Sequence, residues 1–126
     1  MSQENVEAFT RGVDAWNRDD FDTWIELFDP DLEWLALMEV FRGREGARSA
    51  WKSFKGEAGL RVQFNDIRDL GDSVLALGEA EGEGATSRLS FSGELAQWAT
   101  YREGKVIRFR DFGSHAEALE AAGLSE

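Results

Sequence analysis

The chain has 126 residues, a formal net charge of −11, 42% apolar residues, five tryptophans and nine phenylalanines. That composition suits one globular domain over 1–126 with a real core and excludes a disordered chain. The acidic balance argues against nucleic acid and anionic membrane surfaces as partners. The lack of cysteine excludes disulfides and thiolate chemistry. With no long apolar run and no leader-like start, the expected location is cytoplasmic.

Residues 3–17 place Val6, Phe9, Val13 and Trp16 on one face of a helix, with Ser2 as its cap. Asp19 and Asp20 interrupt it. Either can cap a second helix over 21–28, whose apolar face is Phe21, Trp24, Leu27 and Phe28. The one proline, in Asp29-Pro30-Asp31, is expected to end that helix. From Leu32 the period changes to two. Leu32, Trp34, Ala36 and Met38 share one face of a strand, and Glu33, Leu35, Leu37 and Glu39 share the other. A helix follows over about 45–57, with Ala47, Ala50, Trp51 and Phe54 on one side and Gly56 and Gly59 closing it.

Strands are expected over 60–69, 73–82, 87–101 and 105–112. Gly71-Asp72 and Glu103-Gly104 mark tight turns, and residues 83–87 a looser one. The last two turns separate consecutive strands by too few residues for a parallel crossover, so antiparallel pairing is expected. A last helix over 115–122 starts at Ser114 and stops at Gly123.

Two strands say more. In the second, Gly78, Ala80, Gly82 and Gly84 alternate with Glu79, Glu81 and Glu83. Small residues on one face permit sharp bending or a close approach, and the glutamates read as a solvated face. In the third, Leu89, Phe91, Leu95, Gln97 and Tyr101 read as interior, while Ser90, Ser92, Glu94, Trp98 and Thr100 face outward. An outward tryptophan calls for a second sheet or a second subunit to cover it.

The element order and several phrases together resemble the SnoaL-like branch, related to ketosteroid isomerases, of the nuclear-transport-factor-2-like superfamily. The phrases are Ala15-Trp16-Asn17-Arg18-Asp19-Asp20-Phe21, Leu27-Phe28-Asp29-Pro30-Asp31-Leu32-Glu33-Trp34 and Phe41-Arg42-Gly43-Arg44-Glu45-Gly46. The closing Gly104-Lys105-Val106-Ile107-Arg108-Phe109 and the helix from Glu117 to Leu124 complete the likeness. It implies an α+β fold: a curved, mixed, mainly antiparallel sheet forming a cone, with helices on its concave side and dimers formed through its outer face. Such folds host isomerases, cyclases, hydrolases and pure binding modules. Ketosteroid isomerases use a helical tyrosine and two aspartates, which the likeness places at Gly12, Ala36 and either Gln97 or Ala96. None of the three groups is retained, so steroid isomerisation in that form is not expected.

The remaining chemistry is sparse. Asp111 shares a strand face with Ile107 and Phe109 and is the candidate acid or base, its alternatives being an ion pair with Arg108 or Arg110 or simple exposure. Glu39 reads as a rim charge and the one histidine, His115, as a surface residue. Without cysteines or further histidines, no metal site is expected, and no phosphate loop or dinucleotide fingerprint implies a cofactor. Trp16, Trp34, Ala36, Met38, Phe54, Gln97 and Tyr101 are the candidate ligand-binding residues. The expected partner is a small, mostly apolar molecule. The alternatives are a proton-transfer enzyme using Asp111 with Gln97 or Tyr101 polarising an oxygen, and a scaffold whose pocket is filled by its own side chains.

Overall fold

The structure is a computed structural model that describes residues 2–83 and 90–124. Helix α1 (Ser2–Asn17) is followed by α2 (Phe21–Ile25), capped by the Asp20 side chain accepting from the Thr23 amide. Strand β1 (Phe28–Leu35) and short β2 (Val40–Arg42) lead into α3 (Gly43–Trp51), which continues as a π-helical stretch over Lys52–Glu57. Strands β3 (Arg61–Asp69), β4 (Ser73–Glu83), β5 (Ser90–Arg102) and β6 (Lys105–Phe112) follow, then α4 (His115–Ala121). The looser turn expected at 83–87, with Gly84 and Leu89, falls on residues outside those described beyond Glu83. So do the side chains of Ser2, Ser90 and Phe91.

The six strands run in the order β2-β1-β6-β5-β4-β3. Among the described residues, only β1 with β6 is parallel. The α+β class with a curved, mainly antiparallel sheet agrees with the sequence. Bulges supply the bend: β3 slips register between Phe64 and Asp66, and β6 gains Ile107 as an extra residue opposite Thr100 and Tyr101. Gly78 lies across from the first bulge. A Cβ there would collide with the backbone of Gln63 and Phe64. The close approach read from the small-residue stripe is therefore made by β3's own backbone, while Glu79, Glu81 and Glu83 are exposed.

Three local readings need correction. The second helix stops at Ile25, and Phe28, Pro30 and Leu32 belong to β1. Pro30 is accommodated because the β1–β6 ladder is irregular between Phe28 and Glu33, where no amide is needed from it. The first strand does not run on to Met38. The Ala36 amide bonds the Glu39 carbonyl (2.9 Å), closing a turn, and Met38 is 93% exposed. Finally, not every helix packs on the inner face.

On the inner face α1, α2 and α3 cover Trp34, Val62, Val74, Ala99 and Phe109. Asn17 fastens α1 to the sheet edge: its amide donates to the Val62 carbonyl (2.8 Å) and its oxygen accepts from the Val62 amide (3.1 Å). On the outer face α4 packs Ala118 and Leu119 against Leu75, Leu77, Ala96 and Phe112. Trp98 joins this cluster, half-buried, and its indole donates to the Ser73 hydroxyl (2.9 Å). The cover expected from a second sheet or subunit is thus supplied in part by the chain's own last helix.

Candidate functional site

The covering helices and the inner face of the sheet do not meet fully. Between them lies a cavity of about 460 Å³, the space of roughly 15 liquid waters and within the range of small-molecule sites. Its walls are chiefly apolar, among them Phe9, Trp16, Trp34, Phe54, Leu95 and Phe109. A continuous aromatic packing holds the wall open. Trp24 contacts Phe28 (4.6 Å between ring centroids), Trp51 (5.0 Å) and Trp16 (5.4 Å), and Trp34 packs edge-on against Phe109 (4.9 Å) and Phe54 (6.0 Å). The Trp16 indole donates to the Leu60 carbonyl (2.8 Å), so that tryptophan presents only its ring to the cavity.

The polar lining comprises Glu39, Ser92 and Glu94, which are exposed, and Gln97, Tyr101 and Asp111, which lie deeper. Asp111 is half-buried. Its carboxylate accepts from the Trp34 indole at Oδ2 (3.0 Å) and from the Gln97 amide at Oδ1 (3.0 Å). Burial pushes its pKa up to about 6; the bonds from Trp34 and Gln97 pull the other way but do not cancel that effect. No arginine among the described residues neutralises it. Arg108 approaches Glu33 (3.8 Å), and Arg110 lies over the outer-face rings of Trp98 and Phe112. The ion-pair alternatives for Asp111 are therefore not realised.

Register explains the assembly. Gln97 sits directly opposite Asp111 across β5 and β6, and Trp34 reaches Asp111 from β1, whose parallel ladder with β6 ends beside it. Neither partner was assigned to Asp111 from the sequence. Counting back from the Glu103-Gly104 turn pairs Gln97 with Arg110; the extra residue in β6 moves the partner to Asp111.

Tyr101 lies farther along the same wall. It is 9% exposed and lines the cavity. Burial holds its phenol above the usual range, so it stays neutral. Its hydroxyl has no hydrogen-bond partner among the described residues, yet it is not sealed away from open space.

Of the other candidates, Ala36 is half-buried and lines the cavity where β1 ends, and Met38 and Glu39 stand exposed at its rim. Phe54 is aimed inward by the π-helical stretch. His115 departs from the surface reading: it is half-buried, with Nε2 2.7 Å from the Gly78 carbonyl, so that nitrogen donates and pins α4 to β4. Among the described residues no three acidic or histidine side chains are grouped to hold a metal ion, and no helix is long and apolar enough to cross a membrane.

Residues 9–109 match the family profile of the SnoaL-like domain. The chain belongs to the SnoaL-like family. An uncharacterized PhzA/B-like protein of Pseudomonas aeruginosa is 31% identical over 110 residues, spanning 79% of this chain and 77% of the relative. Two solved structures show the same fold. Bal32a, from a soil-derived mobile gene cassette, has a TM-score of 0.82 at 21% identity, covering 95% of this chain and 96% of its own. TerC, co-crystallised with polyporic acid, has a TM-score of 0.77 at 20% identity, covering 93% and 96%. Within this SnoaL-like chain, Gly12 and Ala36 line the cavity as the likeness to ketosteroid isomerases places them. Of Gln97 and Ala96, only Gln97 faces inward; Ala96 belongs to the outer cluster.

Proposed function

We propose that this SnoaL-like chain binds a small, mostly apolar molecule in its inner cavity. The carrying observation is a void of about 460 Å³ walled by aromatic and aliphatic side chains and holding one enclosed carboxyl group. An unfilled space of that size argues against the scaffold reading, in which the chain's own side chains occupy it. Trp16, Trp34, Ala36 and Phe54 would supply apolar contact, and Gln97, Asp111 and Tyr101 would supply orientation. Met38, at the rim, would meet the ligand only at the mouth.

The test is a titration with 2-acetylnaphthalene, an apolar aromatic ketone. Saturable quenching of tryptophan emission and a rise in melting temperature are expected, because a ligand confined to the native state stabilises it. No saturable response from this compound or from a panel of related apolar carbonyl compounds overturns the reading.

One observation favours a second reading, proton transfer. A carboxyl group with a pKa near 6 can hold and release a proton at working pH. The Asp111 carboxylate would take a proton from the carbon beside a ligand carbonyl. The C–H electron pair would move into an enolate, the protonated Asp111 would trade its proton with solvent, and a solvent-derived proton would return from it to carbon. Gln97 has a second amide hydrogen beside Asp111 to offer the oxygen. Tyr101, four residues or about 13 Å along the strand backbone, is too remote for that task. Asp111-dependent hydrogen–deuterium exchange at the methyl group of 2-acetylnaphthalene is expected, rising as pH passes through 6 and absent in Asp111→Asn. Binding without exchange leaves the chain a binding domain. The outer face around Trp98 is the surface on which two copies would pair, a point decided by sedimentation of the protein and of Trp98→Asp.

A further inference from the structure

Tyr101 carries an inference that rests on the binding reading just given and narrows it to a ligand class. A tyrosine that is 9% exposed ordinarily hands its hydroxyl to a protein partner, since an unmet buried hydroxyl is costly. Trp16, Trp34 and Trp98 each donate to an oxygen of the protein, whereas Trp24 and Trp51 make no side-chain hydrogen bond among the described residues. Tyr101 likewise has no partner among the described residues, and it is the one of these that carries a hydroxyl, able both to donate and to accept. It stands on the inner face of β5 opposite Val106, while Gln97, four residues back on the same strand, gathers with Asp111 of β6 and Trp34 of β1. Between the two lies apolar wall, including Ala99 and Phe109. Exposed Arg11 on α1 bears on the phenol electrostatically but makes no hydrogen bond with it.

We infer that the unpartnered Tyr101 hydroxyl is a second recognition point, and that the cavity takes an elongated apolar molecule bearing an oxygen function near each end. The neutral phenol donates to a carbonyl or hydroxyl oxygen at one end. Asp111 accepts from a hydroxyl at the other, or donates when protonated. A ligand with a single oxygen engages only one of the two groups. That gives discrimination by length and by oxygen placement, which apolar walls alone provide weakly.

The test compares naphthalene, 2-naphthol and 2,6-dihydroxynaphthalene, then 4-hydroxybiphenyl and 4,4′-dihydroxybiphenyl, on the wild type and on Tyr101→Phe by calorimetric titration. Phenylalanine keeps the ring, and loss of an unmet hydroxyl should leave the melting temperature of the free protein unchanged or raised. A fall of several degrees would reveal a protein partner for the hydroxyl and overturn the inference. At least one diol should bind the wild type three- to tenfold more tightly than its one-hydroxyl counterpart, about the worth of one hydrogen bond. That advantage should vanish in Tyr101→Phe while naphthalene binding stays constant. Diols no better than their counterparts, or an advantage that survives the substitution, overturn the inference and leave the apolar cavity standing. Failure of every compound, naphthalene included, removes the cavity reading and this inference with it.

Discussion

The two faces of the sheet solve burial in opposite ways. Outside, the seven-residue helix α4 closes on Leu75, Leu77 and Phe112 with small and aliphatic side chains. The polar groups there are met locally, Trp98 by Ser73 and the helix start by Ser114. Inside, three helices rich in large rings cover the sheet, yet leave space and enclose an aspartate and an unmet phenol. Rings are rigid and bulky. A shell of them can brace itself edge to face without filling its centre, whereas Leu and Ala collapse onto what they face. The outer face therefore serves stability, and the inner face gives up stability for a lined space.

The largest expected effect lies outside. Leu119→Ala should cost about 3 kcal/mol, because a buried side chain is lost from a close-packed seam with little room to relax. Urea unfolding measures it. A loss near zero would mean that α4 is not held by the outer cluster, and the contrast between faces would fail.

Inside, Asp111→Asn should be of similar size but of opposite sign and pH-dependent. The folded pKa of about 6 lies above the ordinary value of 3.8. The native state therefore keeps a proton where the unfolded chain has lost it. The stability this group contributes is fully present below pH 4, declines as pH rises through 6, and is level above. A shift of that size corresponds to about 3 kcal/mol. Asparagine does not titrate. The difference between variant and wild type should move in the variant's favour by that amount between pH 4 and pH 7. A flat difference would show that Asp111 is not desolvated, and would remove the basis for proton transfer.

Legibility in the sequence follows the same division. Periodicity located every strand except β2, and the turn pairs located the hairpins, because those signals are local. The likeness to SnoaL-like domains implied a curved, mixed sheet, but the strand order and the parallel β1–β6 pair came only from the structure, since no local pattern encodes them. Asp111 was legible as a carboxyl group on an apolar face. Its partners were not, since they depend on the extra residue Ile107, which has no turn chemistry to announce it. The second helix was overextended because Leu27 and Phe28 fit a helical face as well as a strand's start. Trp98 was legible as an outward aromatic, but not as one that its own chain partly covers.

Trp98→Phe sharpens the comparison at smaller scale. It keeps one aromatic ring, gives up part of the indole's contact with the outer cluster, and removes the donor to Ser73, which is 9% exposed. About 1 kcal/mol should be lost. A loss several times larger in concentrated protein than in dilute protein would show that the residue also seals a subunit contact.

The smallest effect should come from Met38→Ser, within about 0.5 kcal/mol of zero, because a residue 93% exposed has little burial to lose. The strand pattern put Met38 beside Trp34 on the cavity wall. Ala36-Leu37-Met38-Glu39 contains neither glycine nor proline, so nothing in its composition warns that the Ala36 amide closes a turn onto Glu39. If the turn is as described, serine at 38 changes neither stability nor the affinity for naphthalene. If the substitution weakens naphthalene binding severalfold with stability intact, Met38 folds over the mouth when a guest is present, and the inner face has a movable wall that the outer face lacks.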